Sequence, residues 1–341
     1  MAAKSLPELT ALEHLIAKGG PHLDVNVACT VDAGERRFPV YVLKMGNPSP
    51  QAPALGFFGG IHGLERIGTH VILAFLQGLL ARLRWDHALQ EQLTKIQLVF
   101  MPLVNPGGMW QATRCNPQGV DLMRNSPVQA SERVPFMLGG QRTSPRLPWY
   151  RGAFGEPMEA ESLALCHVVE QDLLTRRFSL ALDCHSGFGL RDRIWFPHAH
   201  TSTPIAHLAE IAALEELFSE SYPHHNYLFE PQSRQYRTHG DLWDHLYMHA
   251  EHASDRVFLP LTLEMGSWLW VKKNPRQLFS RFGMFNPTAA HRLQRVLRSH
   301  LVWFEFLMRA VGSHAKWLPV SPQRGLQRTR ALARWYGVAP R

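Results

Sequence analysis

Four cysteines, Cys29, Cys115, Cys166 and Cys184, are scattered through 341 residues with no CxxC pair among them. That argues against a disulfide framework and against a zinc knuckle, and it fits a reducing, cytoplasmic setting. Long apolar runs are missing too. No uninterrupted stretch reaches the roughly 20 residues that a membrane-spanning helix needs. No signal peptide is expected in the first twenty residues, because Glu8, Glu13 and His14 interrupt their apolar positions. Acids are scarce at one end only. Residues 276–341 hold 12 of the 36 lysines and arginines but a single acid, Glu305, so the net charge of +8 is carried by that end. Arg292, Arg295 and Arg298 fall on a predicted helix whose apolar stripe is Leu293, Val296, Leu297, Leu301 and Phe304. The simplest role for these arginines is a solvated face. An acidic or nucleic-acid partner for the basic segment is the less favoured reading.

Hydrophobic residues make up 45% of the chain, enough for a substantial core, and the length allows one large or two ordinary domains. One stretch organises the rest. Residues 54–58 form a short apolar run that reads as a buried strand, GGIHGLER follows at residues 59–66, and residues 71–83 have helical apolar spacing. A strand, a glycine turn and a helix place His62 and Glu65 at the carboxyl end of a strand, where open α/β sheets keep their sites. Three residues apart, the two side chains can share one face and one ion. Imidazole nitrogen and carboxylate oxygen are both normal zinc ligands, and a catalytic zinc takes three ligands from the protein. An HxxE pair alone is common. A third ligand is available where a second buried run, residues 178–184, leads into His185-Ser186-Gly187. Cys184 adjoins it, but neighbouring strand residues face opposite ways, so Cys184 is expected to pack beneath the site.

Taken in order, the spacing predicts a short helix over residues 7–18 and a hairpin of strands at 24–30 and 37–44 around Asp32-Ala33-Gly34. A proline-rich turn at 47–53 leads to the strand before His62, and another strand is expected over 96–103. Then comes NPGGMWQATRCNPQGVDLMRN at residues 105–125, which gathers Arg114, Asn116, Asp121 and Arg124 in one loop after a strand. Far downstream, Glu264 closes Leu261-Thr262-Leu263 just before Met265-Gly266-Ser267. Packing explains a glutamate there poorly.

These motifs together resemble the zinc metallocarboxypeptidases, the carboxypeptidase A-like funnelins. That family's pattern runs HxxE, NPDG, an arginine, GVDxNRN, a histidine in an H-S pair, a mobile tyrosine and a glutamate closing a late strand. The matches here, in the same order, are His62 with Glu65, NPGG from Asn105, Arg114, GVDLMRN at 119–125 and His185-Ser186. Tyr236 follows, ahead of Gly240, Asp244 and Tyr247, and then VFLPLTLE at 257–264. Pro148-Trp149-Tyr150-Arg151-Gly152 and Glu156-Pro157-Met158-Glu159 look like its Y-x-G and SEPE loops, leading into a helix over 159–174. The likeness extends from about residue 38 to residue 264.

The resemblance implies a single α/β domain with a mixed, mostly parallel, twisted sheet flanked by helices. Its parts would be a helical lead-in over 1–24, a catalytic domain over 25–311 and a basic tail over 312–341. It implies one zinc per chain, held by His62, Glu65 and His185, with Asp121 as the carboxylate that fixes a ligand histidine. Glu264 would be general base and then acid, and Arg114 the stabiliser of the oxyanion. Arg124 would dock the terminal carboxylate, Tyr236 would close over the substrate, and Asn116 would be a further substrate contact. Trp243 falls at the pocket floor, where an indole argues against an acidic pocket for Lys or Arg. Read without the resemblance, Asp121 fits an Asx turn, the two arginines fit surface salt bridges, and Tyr236 and Trp243 fit packing.

Met123 departs from the pattern, since the family has Asn there. A carboxylate-binding amide, a hydrogen bond to a charged group worth about 1.5–3 kcal/mol, is missing, so recognition of a free C-terminus is weakened or rebuilt. The expected reaction is hydrolysis of an amide bond next to a terminal carboxylate, in small peptides that include cell-wall-derived or modified ones. The rival is deacylation of N-acyl amino acids, as in the aspartoacylase and succinylglutamate desuccinylase branch. From a different class comes a catalytically silent, zinc-stabilised binding module with a basic tail.

Overall fold

In the computed structural model, which describes residues 5–251 and 256–338, the continuous apolar runs become the inner strands. One eight-stranded sheet is formed among the described residues, in the order β1-β2-β4-β3-β5-β8-β6-β7. Its strands are β1 (Asp24–Ala33), β2 (Arg36–Gly46), β3 (Ala54–Gly59), β4 (Gln97–Met101), β5 (Phe178–Ser186), β6 (Arg193–Phe196), β7 (Leu228–Pro231) and β8 (Val257–Met265). The β3–β4, β3–β5, β5–β8 and β6–β7 pairings are parallel and the other three antiparallel. This is the mixed, mostly parallel sheet expected. Every residue of β3, β4 and β5 is buried, as strands covered on both faces must be. The edge strand β1 is largely exposed. Its hairpin to β2 turns through Gly34 at φ 68°, a backbone region open to glycine. β4 is shorter than the predicted 96–103, since Pro102 has no N–H to extend the ladder.

The helices are α1 (Pro7–Gly19), α2 (Arg66–Arg82), α3 (His87–Leu93), α4 (Pro106–Gln111), α5 (Ala160–Asp172), α6 (Leu208–Ser221), α7 (Leu242–Glu251), α8 (Trp268–Lys273), α9 (Ala290–Gly312), α10 (His314–Trp317) and α11 (Gln323–Tyr336). Two adjacent residues of β3 show how they flank the sheet. The Phe57 ring lies 5.2 Å from Phe75 of α2 and 4.7 Å from Phe304 of α9. Phe58 faces the other way and meets Trp243 of α7 at 5.1 Å. Each fully buried phenylalanine contributes about 1.5–3 kcal/mol of transfer free energy, so this aromatic column fixes both helical layers to the strand that feeds His62. α2 starts earlier than the apolar spacing suggested, because the Ile67 N–H is capped by Asn286 Oδ1 at 2.9 Å.

α2 sits directly on the end of β5. A Cβ at Gly68 would lie 2.3 Å from the Cys184 carbonyl oxygen, whereas one at Gly78, in the same helix, would meet nothing within 4 Å. Cys184 is buried under the site, as its strand position predicted, and burial pushes its thiol well above the usual range. Gly68→Ala is therefore expected to destabilise by about 1–3 kcal/mol through overpacking. Gly78→Ala is expected to be neutral or stabilising by up to about 1 kcal/mol. Chemical denaturation of the two variants tests the close seating of α2, and equal effects would refute it.

The first and last described segments are tied in. Leu9, Leu12 and Leu15 of α1 are buried, and Glu8 accepts a hydrogen bond from Arg66 at 2.9 Å. Residues 312–338, the described part of the segment read as a basic tail, are folded against the domain. Arg324 pairs with Glu210 at 2.6 Å, Arg334 pairs with Glu215, and Arg328 donates to the Ile205 carbonyl at 2.9 Å. Trp335 is buried and donates to the Phe229 carbonyl at 2.8 Å. Burial pushes the Glu215 carboxyl up to about 7 despite Arg334. Of the α9 arginines, Arg295 and Arg298 are exposed, and Arg292 is half-buried against the Trp270 carbonyl. Residues 1–4 and 339–341, the outer ends of the lead-in and the basic segment, lie outside the described residues. Among the described residues no helix is long and apolar enough to cross a membrane.

Candidate active site

The chain leaves β3, turns through residues 60–65 and enters α2, so His62 and Glu65 lie beyond the carboxyl end of that strand. His185 lies at the end of β5, which pairs with β3. The three side chains converge. His62 Nδ1 is 2.9 Å from Glu65 Oε1, and His185 Nδ1 is 3.0 Å from Glu65 Oε2. Their ligand atoms lie within 4.8 Å of one another, and all three residues are buried. Two imidazole nitrogens and one carboxylate form the donor set of a catalytic zinc that keeps a position open.

Each imidazole has a carboxylate behind it. His62 Nε2 is 3.1 Å from Asp121 Oδ1, and His185 Nε2 is 2.6 Å from Asp183 Oδ2. With a cation between the ligands, a carboxylate at Nε2 would hold the proton there and free the Nδ1 lone pair, which is the tautomer a cation requires. The residues therefore fit zinc. Burial alone would raise the Glu65 carboxyl, but His62 and His185 hold it well below the usual carboxylate range. Burial likewise opposes the charged form of His185, yet Asp183 and Glu65 raise its pKa well above normal. Asp121, also buried, is held far down by Arg114 and His62. The Ser186 N–H donates to Glu65 Oε2 at 2.9 Å and fixes that carboxylate further. An ionised carboxylate locked between two imidazoles is prepared for positive charge.

Asp121 was expected in this role and Asp183 was missed, although a signal existed. Residues two apart on a strand share a face, so Asp183 had to point the same way as His185. Its Oδ2 also accepts the Trp243 indole N–H at 2.8 Å. Asp183→Asn is expected to weaken metal binding by about 10- to 100-fold. Competition against a chelator of known affinity measures this, and an unchanged affinity would mean that Asp183 only fills space.

Parallel pairing of β5 with β8 sets His185 opposite Glu264 and Asp183 opposite Thr262. Paired residues on adjacent strands face the same side, so Glu264 is delivered beside the third ligand. Its Oε1 accepts the Phe188 N–H at 3.0 Å. Burial, and then the charge of Glu65, push the Glu264 carboxyl up to about 8 against the pull of His185. A cation between the ligands would draw it down toward neutrality, where a general base works best. Arg114 bonds Asp121 Oδ2 through Nε at 2.9 Å and Glu65 Oε1 through Nη1 at 3.1 Å. Both contacts outweigh burial and keep its guanidinium firmly charged.

A cavity of about 270 Å³ takes in the three ligand residues with Glu264, Arg114, Arg124 and Tyr236. Phe188 anchors an aromatic wall on the Glu264 side, with its ring 5.3 Å from Trp195, 5.8 Å from Tyr236 and 5.6 Å from Trp268. Burial raises the Tyr236 phenol, with Arg124 acting against it. Met123 lines the cavity where a carboxylate-binding amide was expected to be lacking. The loop over 131–146 contributes Leu138 to the cavity wall, and Trp149 follows just beyond it. Trp149 has φ 60°, a left-handed backbone rare for a bulky residue and typical of strain held at ligand sites.

Two expected substrate contacts lie elsewhere. Asn116 is buried, with Oδ1 accepting the N–H groups of Gln118 at 3.1 Å and Val120 at 2.9 Å and its amide donating to Glu159 at 2.8 Å. It folds its own loop as an Asx turn and does not line the cavity. Trp243 is buried edge-on to Phe58 and donates to Asp183, so it steadies His185 from below. The argument it offered against an acidic pocket falls with it, because Asp241 lies in the cavity wall. Asp241 gave no signal in the sequence, where an aspartate before a helix reads as a cap.

Comparison with known proteins places this arrangement. A family model described as zinc carboxypeptidase matches residues 35–278. Carboxypeptidase SOL1 of Arabidopsis thaliana is 28% identical over 95 residues, which is 27% of this chain and 19% of that protein's length. Among solved structures, bovine thrombin-activatable fibrinolysis inhibitor in complex with tick carboxypeptidase inhibitor superposes with a TM-score of 0.65 at 16% identity, covering 91% of this chain and 98% of that one. The carboxypeptidase A of Helicoverpa armigera gives 0.63 at 16% identity, covering 89% and 72%. At such identities the likeness shows the fold.

Proposed function

Since the chain belongs to the zinc carboxypeptidase family, we propose that it hydrolyses the amide bond next to a terminal carboxylate of a peptide. The observation that carries this reading is the convergence of His62, Glu65 and His185 within 4.8 Å in a cavity that Glu264 and two arginines share. A zinc ion held by those three ligands would supply a water of pKa near about 7 and polarise the scissile carbonyl. Glu264 takes a proton from the attacking water and returns it to the leaving nitrogen, with the Phe188 N–H holding its Oε1 in place. Arg114 spends Nε and Nη1 on Asp121 and Glu65, and turns its remaining amino group to the developing oxyanion. A donor of this kind is worth about a hundred- to a thousand-fold in kcat. Arg124, buried with its Nε unpartnered, receives the substrate carboxylate, and Tyr236 closes over it.

The deciding experiment offers three substrate sets to the zinc-loaded protein: peptides with a free C-terminus, the same peptides amidated, and N-acyl amino acids. Release of the last residue from free-acid peptides only is expected. Cleavage of N-acyl amino acids with peptides untouched would favour the deacylase reading, and bound zinc with no hydrolysis would favour the silent module. Arg124→Ala is expected to raise KM for free-acid peptides by at least about tenfold, because losing hydrogen bonds to a charged group costs about 1.5–3 kcal/mol. A KM unchanged in that variant would remove Arg124 from the carboxylate site.

A further inference from the structure

A second cavity, of about 370 Å³, is bordered by two arginines, Arg142 and Arg151, and lies apart from the one that holds the metal ligands. Arg151 is 3% exposed, and every hydrogen bond of its guanidinium goes to a neutral acceptor. Nε donates to the Arg124 carbonyl, Nη1 to Gln129 Oε1 and Nη2 to the Val128 carbonyl, each at 3.0 Å. Arg142 is alike, since its Nη1 donates to the carbonyls of Gly152 at 2.6 Å and Ala153 at 2.9 Å. Among the described residues neither arginine pairs with a carboxylate. Burial, and then the charges of Arg142 and Arg124, bring the Arg151 guanidinium down to about 10, so it is still charged at neutral pH with no acid to support it. The fold nevertheless makes room for that charge. A Cβ at Gly140 would lie 2.8 Å from Arg151 Cδ, and one at Gly240 would lie 2.9 Å from its Nε.

Taking an unpaired charge out of water is costly. Carbonyl bonds orient these two guanidiniums without neutralising them, so the cavity between calls for an anion from solution. Arginine forks match the oxygens of phosphate and carboxylate, and two of them suit a dianion. A phosphate monoester carries about −1.5 to −2 charges at pH 7. His245 also borders the cavity, and burial lowers its pKa, so it can offer an N–H while neutral. Of the described lining residues only Glu156 is acidic, and it is exposed. Phe154, Pro157 and Met158 make the remaining wall apolar.

We propose that this cavity binds a phosphate group, either inorganic phosphate or the monoester of a small molecule, between Arg142 and Arg151. The site is separate from the catalytic cavity and does not depend on which bond is hydrolysed there. Its occupant would reach that cavity only through Arg151, whose Nε braces the main chain of Arg124.

The test titrates the full-length zinc-loaded protein, cleared of free zinc, with inorganic phosphate and with phenyl phosphate at constant ionic strength, which holds screening fixed. Calorimetry gives Kd, and the melting temperature in phosphate against chloride gives a second reading. Phosphate can also enter the catalytic cavity, so variants locate it. Arg142→Gln is expected to weaken binding at least about tenfold and to abolish the phosphate-dependent rise in melting temperature. Arg142→Lys, which keeps the charge, should restore most of the affinity, and Glu156→Gln should tighten binding about twofold by removing a repelling charge. Arg124→Ala should leave the Kd within about twofold, because Arg151 holds the main chain there. Phenyl phosphate binding more tightly than inorganic phosphate would mark a monoester as the ligand, and the reverse order would mark the free anion. No binding to the wild type at about 10 mM phosphate by either reading overturns the proposal. So does an affinity unaltered in Arg142→Gln, or one lost in Arg124→Ala alone, since the anion would then sit with the metal ligands. Should Arg142→Gln fail to fold, Glu156→Gln decides, and an affinity there no tighter than wild type overturns the assignment.

Discussion

Glu264→Gln is expected to lower kcat about a hundred- to ten-thousand-fold, the range removed with a positioned general base, while leaving about one zinc per chain. The amide keeps the size of the side chain and can still accept the Phe188 N–H, so the loss isolates proton transfer from packing. Metal content stays because the ligand atoms belong to His62, Glu65 and His185. The pH profile of the wild type follows from the same residue. Glu264 works only when ionised, and its carboxyl is pushed up to about 8 without a cation. With zinc bound, kcat/KM is expected to rise with pH through a midpoint below 8, and the variant's residual rate should lack that limb. Activity within tenfold of wild type would remove Glu264 from the proton pathway.

His185→Ala is expected to take zinc from about one per chain to near none after dialysis, with hydrolysis lost in step. Elemental analysis reads the first and the peptide assay the second. A ligand that binds only the folded state stabilises it by about 4 kcal/mol when present at a thousand times its Kd. The wild type should therefore melt several degrees higher with zinc than with chelator, and the variant should melt alike in both. A further loss is expected even without metal, because the buried Asp183 carboxylate, bonded otherwise only to Trp243 among the described residues, loses its imidazole. Zinc retained in His185→Ala, or absent from the wild type, would end the metallohydrolase reading.

Much of this frame was legible because strands buried on both faces must be written as unbroken apolar runs, and β3 and β5 are. His62, Glu65 and His185 could be found because each stands where such a run ends in a turn. Glu264 stood out as a charge that packing did not explain. What the sequence could not convey was orientation. Trp243 and Asp241 are two residues apart, yet one points under β5 toward Phe58 and Asp183 while the other borders the cavity. Which does which depends on where α7 begins. Nor does chain order hint at Asn286, whose amide holds the Leu64 carbonyl at 2.7 Å and whose oxygen caps Ile67, bracing the HxxE turn from far along the chain. The basic C-terminal segment was opaque for a similar reason. Counting charges cannot separate an arginine in solvent from one matched to a carboxylate on a distant helix.

That last match sets a sequence of events during synthesis. Every residue assigned to the metal centre and its base has been made by Glu264, and the last strand ends at Met265. The acceptors Glu210 and Glu215 on α6 must wait for Arg324 and Arg334. The nascent chain thus passes through an interval in which the metal ligands and Glu264 have been made while two carboxylates on its flank stand unmatched. Domains gather as units while they emerge, and here the residues that would hold the ion are made before Asn286, which braces their turn, and before the arginines that fasten the flank.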